Sequence, residues 1–255
     1  FKYLKYSCAL LHLMKYTASY QTLGALEQKV YSLLRREMNH SRNLKSKAMT
    51  PMRALGGGMD GTMVHDLLHI WSKSIVDNYA QDHKKFKRQW LDKQQDDIGA
   101  FGTKNINIGF VSADFGSKHP MMHLLDRVIP QLRQRKYVNL FLFSLTEHKR
   151  NFDGVLSQQN LASLISNDTN QRAKSHFLYL HGLSDFDAAK VILESKIDIL
   201  VDMNGYTMGG RPEIFAFRPS RVQIGFLGWP STIGSSDILD YTLTDPMGTA
   251  VELVH

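Results

Sequence analysis

From Ile106 onward, short apolar runs alternate with stretches of helical periodicity, and this alternation leaves the chain very few possible folds. Ile106 to Val111, Val138 to Phe143, Phe177 to Leu180, Ile197 to Val201, Val222 to Leu227 and Tyr241 to Thr244 read as strands. Helical patterns fall between them, at Met122 to Gln134, near Val155 to Ile165, at Asp185 to Glu194 and at Pro212 to Phe217. Strand and helix alternating at this spacing predict βαβ units, hence an α/β fold on a parallel, doubly wound, Rossmann-like sheet. Such sheets bind ligands in the loops beyond the carboxyl ends of their strands, and those loops are the places to look for chemistry.

The first part of the chain follows a different pattern. Leu4, Cys8, Leu11 and Met14 recur at helical spacing, as do Leu23, Leu26, Val30 and Leu33. A breaker segment follows, with Thr50-Pro51, Gly56-Gly57-Gly58 and Asp60-Gly61. Val64, Leu67, Leu68, Trp71 and Ile75 then mark an amphipathic helix that starts near an N-cap at Asp60 or Thr62. The polar stretch Gln94 to Lys104 supplies a boundary. We therefore expect an α-helical region over 1–98 and a Rossmann-like lobe over 99–255. The chain lacks an initial Met and stops abruptly after Val254-His255, which we read as the ends of a fragment.

Of the 255 residues, 43% are apolar and 22% charged, as in an ordinary globular protein. No apolar run reaches the roughly 18 residues a membrane-spanning helix needs. The apolar start from Phe1 to Tyr16 is interrupted by Lys5 and Lys15 and lacks a small-residue cleavage site, so it reads as a helix rather than a signal peptide. A single cysteine, Cys8, excludes an internal disulfide or a multi-cysteine zinc site and favours a reducing compartment. Much of the net charge of +7 lies in two runs, Arg42 to Lys47 and Lys84 to Arg88. No aromatic-basic motif of a nucleic-acid binder accompanies them, so they read as a solvated loop and a solvated helix face.

Three loops at the predicted carboxyl edge carry polar and glycine residues. After the first strand runs Ser112-Ala-Asp-Phe-Gly-Ser-Lys-His119-Pro120, entering a helix. A helix start offers free N–H groups to an anion or a sugar hydroxyl. His119 can move a proton near neutral pH with Asp114 orienting it. The competing reading makes Ser112 and Asp114 turn and cap residues. After the strand at Ile197 runs Asp202-Met-Asn-Gly-Tyr-Thr-Met-Gly-Gly-Arg211, with Asn204, Tyr206 and Thr207 as hydrogen-bonding groups. After the strand at Val222 runs Gly228-Trp-Pro-Ser-Thr-Ile-Gly234. None holds a dinucleotide or P-loop glycine pattern. His65 and His69 stand four apart on a helix, but in His-Asp-Leu-Leu-His without the Glu of zinc peptidases, so no metal is expected.

Taken together these loops resemble the catalytic region of the O-GlcNAc transferase family. The likeness rests on Gly109-Phe-Val-Ser-Ala-Asp-Phe-Gly116 with His119-Pro120 and His123, and on Ile199-Leu-Val-Asp-Met-Asn-Gly-Tyr-Thr207. It extends through Arg218-Pro219, Gln223, Leu227-Gly-Trp-Pro230 and Asp240-Tyr-Thr-Leu-Thr-Asp245, covering about residues 105–245 in order. The resemblance implies the first lobe of a two-lobed, GT-B type glycosyltransferase. It implies inverting, metal-independent transfer of N-acetylglucosamine from UDP-GlcNAc to Ser or Thr hydroxyls of nuclear and cytoplasmic proteins, with no cofactor. The second lobe, which would supply most contacts to the nucleotide, would lie downstream, and helical repeats upstream.

Carried over by that resemblance, Asp114 and His119 match the acid–imidazole pair near the reacting groups, and His65 aligns with a functional histidine ahead of the first strand. Pro120, Leu227, Gly228 and Pro230 match positions shaping the sugar pocket, and Tyr206 and Thr207 match residues of the same cleft. Ser117-Lys118 stands where the family has a single Asn. Met121 stands in place of a Thr facing the sugar, Met208 in place of a Lys and Trp229 in place of a Tyr. These departures bear on donor choice. Two other readings stay open: a GDP-fucose-dependent protein O-fucosyltransferase, and a transferase-like module that binds proteins without chemistry. An isolated first lobe of this kind would be inactive.

Overall fold

A computed structural model describes residues 28–33, 35–36, 51–52, 60–94, 105–115, 120–147 and 175–245. The expected helix over Leu4 to Met14, that around 155–165, the basic run Arg42 to Lys47, and His119 lie outside these residues, while of the helix expected over Leu23 to Leu33 residues 28–33 are described and helical. The chain divides into two compact units: residues 1–79 with 232–235, and residues 80–231 with 236–255.

In the first unit, α1 begins at Gly61, and the helix as a whole spans Gly61–Gln94. Asp60 caps its start. Its Oδ1 accepts from the Thr62 N–H at 2.9 Å, and its carbonyl accepts from Val64 N at 3.0 Å. Satisfying first-turn N–H groups in this way is what an Asp at an N-cap does. The buried stripe of Met63, Val64, Leu67, Leu68, Ile70 and Ile75 follows the helical repeat. On the other side Asp66 accepts from Tyr31 Oη at 2.7 Å and Arg35 Nε at 2.6 Å. The segment 232–235 packs on this helix, with His69 Nδ1 3.0 Å from the Gly234 carbonyl.

The second unit is built on six parallel strands: β1 (Ile106–Ser112), β2 (Val138–Ser144), β3 (Ser175–Tyr179), β4 (Ile199–Asp202), β5 (Val222–Phe226) and β6 (Tyr241–Leu243). They lie in the order β3-β2-β1-β4-β5-β6, every neighbouring pair parallel. The chain thus winds outward in one direction from β1 and returns to wind outward in the other from β4. This is the doubly wound topology anticipated from the strand–helix alternation, and its switch point lies between β1 and β4.

Among the described residues, three helices join the strands: α2 (Pro120–Arg133), α3 (Asp185–Glu194) and α4 (Pro212–Ala216). Phe110 of β1, Leu140 and Leu142 of β2 and Val201 of β4 point to one face of the sheet. There they form a buried core with Met121, Met122, Leu125 and Ile129 of α2 and with Phe115. Side chains alternate faces along a strand, so Phe110 meets Leu142 and Val201 on one rung. Phe86 of α1, Phe186 of α3 and Phe217 after α4 form an aromatic trio, with centroids 5.3 to 5.7 Å apart. Helices α3 and α4 follow the turn chemistry of the sequence. Ser184 caps α3 by accepting from Asp187 N at 3.1 Å, and Pro212 opens α4 at its first position.

The outer strands are locked by polar side chains. Arg218 takes the left-handed conformation at φ 55° and donates to both oxygens of Asp240, at 2.7 and 2.8 Å. Asp240 Oδ2 also accepts from Gln223 N at 2.7 Å, and buried Gln223 Nε2 donates to Phe215 O and Ile238 O at 2.9 and 2.5 Å. One carboxylate therefore ties the turn after α4 to β5. Asp240→Ala removes it and leaves the part-buried guanidinium and the Gln223 N–H without that partner. We expect a loss of about 2–4 kcal/mol, read as a lower midpoint in urea unfolding with unchanged slope.

Candidate functional site

Strands β1 and β4 end side by side, with Val111 opposite Asp202, and their loops must diverge from that rung. Asn204, 1% exposed, holds them together. Its Oδ1 accepts from Ala113 N at 2.8 Å, and its Nδ2 donates to Asp114 Oδ2 at 2.8 Å and to Thr207 Oγ1 at 3.3 Å. Thr207 Oγ1 donates back to the Asn204 carbonyl at 2.8 Å. A side-chain amide has one acceptor oxygen and two N–H donors, and here each is engaged. Asp114 is half-buried, and its own N–H donates to Ser112 Oγ at 3.0 Å.

Below Asn204 lies Asp202, the last residue of β4 and 3% exposed. Its Oδ1 accepts from Asn204 N and from Gly205 N, both at 2.9 Å. Its Oδ2 is buried with no hydrogen-bond partner among the described residues. Burial pushes this carboxyl above its ordinary 3.8, against the lowering effect of the two N–H groups. Tyr206 is raised well above 10.0, chiefly by burial and further by the nearby Glu213 and Asp202 carboxyls. Glu213 is itself raised by burial first, with Asp185 and Asp202 adding to the effect and Arg211 opposing it.

The third loop closes on this pair through glycine. A Cβ on Gly228 would stand 1.8 Å from the Met203 carbonyl oxygen, so only glycine lets the β5 loop lie on the β4 loop. Gly205 has φ 53°, and a Cβ there would strike Trp229. Trp229 is buried and takes the edge of Tyr206, with centroids 5.3 Å apart at 88°. The far end of the β4 loop is anchored by Arg211, which pairs with Asp185 at 2.6 Å and donates to the Leu183 carbonyl at 2.9 Å.

Of the residues singled out from sequence, Asp114, Asn204, Tyr206, Thr207 and Gly228 come together in this cluster. Pro120 opens α2 and is exposed; Leu227, at φ 66°, and Pro230 are exposed on the β5 loop. Met208, on the same rim as Tyr206, is 94% exposed. His65 belongs to the first unit and is exposed on α1. Met121, by contrast, is buried in the core under the sheet. Asp202 was not singled out from sequence. Its signal is a carboxylate closing an apolar four-residue strand immediately before an Asn-Gly turn.

A family model described as glycosyl transferase family 41 matches residues 62–255. The chain is 35% identical over 154 residues to a probable UDP-N-acetylglucosamine–peptide N-acetylglucosaminyltransferase SEC of Arabidopsis thaliana. That alignment covers 60% of the chain and 14% of the relative. It is 37% identical over 153 residues to a UDP-N-acetylglucosamine–peptide N-acetylglucosaminyltransferase of Caenorhabditis elegans, over 60% of the chain and 12% of the relative. Among solved structures, a mutant O-GlcNAc transferase of Thermobaculum terrenum aligns over 86% of this chain and 39% of its own, at 18% identity and a TM-score of 0.46. The chain thus spans a small part of the length of the curated relatives it matches.

Because the Asp202 carboxyl is raised in the folded state, its contribution to stability is fully present below the ordinary carboxyl range. It is lost as pH rises through the folded value. Asp202→Asn carries no such charge. Its melting temperature relative to the parent should therefore climb as pH is raised from about 4 toward 8; a difference that stays flat across that range would contradict this titration.

Proposed function

The chain belongs to glycosyl transferase family 41, and from that premise we propose that it forms the first catalytic lobe of a protein O-GlcNAc transferase. In this reading N-acetylglucosamine passes from UDP-GlcNAc to Ser or Thr hydroxyls of nuclear and cytoplasmic proteins. Residues 99–255 are the lobe, residues 1–98 lead into it, and a second lobe binds the nucleotide. The names of the Arabidopsis and Caenorhabditis relatives, both UDP-N-acetylglucosamine–peptide N-acetylglucosaminyltransferases, support the donor and the peptide acceptor. Among the described residues no helix is long and apolar enough to cross a membrane.

One observation carries the reading. A carboxylate, Asp114, is held at the switch point of a doubly wound sheet by a saturated, buried amide. That crevice is where sheets of this type bind their ligands. An acceptor hydroxyl attacks the anomeric carbon, the bond from that carbon to the diphosphate oxygen breaks, and UDP leaves with the bonding electrons. The hydroxyl proton must leave as the new bond forms. In this assignment Asp114, with His119 five residues on, receives or orients that proton. The sugar lies between the β1 loop and the Leu227–Pro230 loop, and no metal or cofactor takes part. The charge of the leaving diphosphate is met by the second lobe.

The test uses the full-length polypeptide with a Ser/Thr-rich peptide and either UDP-GlcNAc or GDP-fucose, read by peptide mass. A HexNAc gain from UDP-GlcNAc alone is the expected result, and Asp114→Ala should lower kcat by about 10²–10⁴-fold. A deoxyhexose gain would move the protein to a fucosyl donor. No gain from folded protein with either donor would favour a binding module.

A further inference from the structure

Asn204 looks, by residue type and loop position, like a group that meets substrate, but its surroundings point elsewhere. At 1% exposure it has almost no surface to offer a ligand, and its oxygen and both amide protons are already engaged within the protein. What its bonds do reach is the β1 loop, at the Ala113 N–H and the Asp114 carboxylate. The direction of this side chain is set in turn by its own backbone. Asp202 Oδ1 accepts the successive N–H groups of Asn204 and Gly205 and so fixes the turn from which the amide projects.

We infer that Asp202 and Asn204 form a buried positioning pair, in which Asp202 sets the turn and Asn204 aims the Asp114 carboxylate into the switch-point crevice. Neither residue touches substrate. The assignment rests on the proposed transfer reading only in taking Asp114 as the group that acts.

Asp202 bears the signature of a residue kept for geometry. One of its oxygens serves two backbone donors while the other is buried without a partner, an arrangement that costs about as much as it contributes. Displacing an acting group by about 1 Å can cost on the order of 10²-fold in rate without altering substrate contacts.

The experiment measures kcat and KM for UDP-GlcNAc transfer by the full-length protein, beside hydrogen exchange at the Ala113 amide. Asn204→Asp is nearly isosteric, still accepts from Ala113 N, and loses the donor to Asp114. Its kcat should fall about 10²-fold with KM for the donor within about threefold. Asp202→Ala should lose a similar factor, and Asp202→Asn, which keeps an acceptor for both N–H groups, should recover most of it. In Asn204→Ala the Ala113 amide, deprived of its acceptor, should exchange at least about tenfold faster. A folded Asn204→Asp protein with unchanged kcat, or a rise in KM matching the loss, would overturn the positioning role. So would an equal loss in Asp202→Asn and Asp202→Ala. If the parent protein transfers no sugar, the transfer reading fails by itself. The Ala113 exchange rate still decides the inference then, because unaltered exchange in Asn204→Ala means the amide does not hold the loop.

Discussion

Everything at the carboxyl edge of this sheet depends on one buried amide. In a doubly wound sheet the loops after the two central strands leave in opposite directions, and nothing in the ladder itself holds them together beyond the last paired rung. Here that rung is Val111 with Asp202. Past it, Met203 N still reaches back to Val111 O at 3.1 Å, and then the Asn204 side chain takes over from the backbone. Removing a polar group from water without giving it partners costs several kcal/mol. An amide is tolerable in this place only because each of its donors and its acceptor is met.

The rest of the site is arranged so that this amide stays dry. Gly228 brings the β5 loop into contact with the Met203 carbonyl, and Trp229 covers the Asn-Gly turn while Tyr206 meets its ring edge-on. Two arginines of this unit are engaged elsewhere, Arg211 beside the loop after β3 and Arg218 at the amino ends of β5 and β6. Arg211 is turned onto Asp185 and the carbonyls after β3, and Arg218 onto Asp240. Both guanidiniums are thus engaged with carboxylates of this chain. They brace loops instead of forming an anion cradle, which agrees with a proposal that puts the diphosphate on a second lobe.

The sheet was legible because strands covered on both faces must be apolar almost throughout, and runs such as Gly109-Phe-Val and Leu140-Phe-Leu-Phe143 have no other use in a polar chain. All six expected strands are present, and Asp185–Glu194 is helical between the anticipated ends. The discrepancies have local causes. The fourth strand starts at Ile199, not Ile197, because Asp198 Oδ2 takes the Asn107 N–H at 2.8 Å in place of a ladder bond. The third starts two residues early, at Ser175, since Ser175 and His176 pair with Leu140 and Phe141 through the backbone, which ignores side-chain polarity. The meeting of three polar loops at one edge was legible. The division of labour among them was not. Whether Asn204 faces a ligand or the protein depends on Gly228 and Trp229, more than twenty residues away, closing over it, and no spacing rule reports that.

Two buried polar atoms among the described residues lack partners: Asp202 Oδ2 and Gln223 Oε1. They lie on adjacent strands, and they share a pattern. Asp202 accepts two backbone N–H groups with one oxygen, and Gln223 donates to two backbone carbonyls with one nitrogen. In each case two hydrogen bonds of about 1 kcal/mol each stand against an unsatisfied acceptor costing about 1–3 kcal/mol. On the side chain's own account the balance is near zero. An apolar residue of similar volume would leave those backbone N–H and carbonyl groups without these partners. Nor could such a residue fix two backbone groups in space, as each of these side chains does. Gln223 fixes the end of α4 and the approach to β6, and Asp202 fixes the turn that carries Asn204. Of the two, only the geometry set by Asp202 reaches the Asp114 carboxylate, through Asn204.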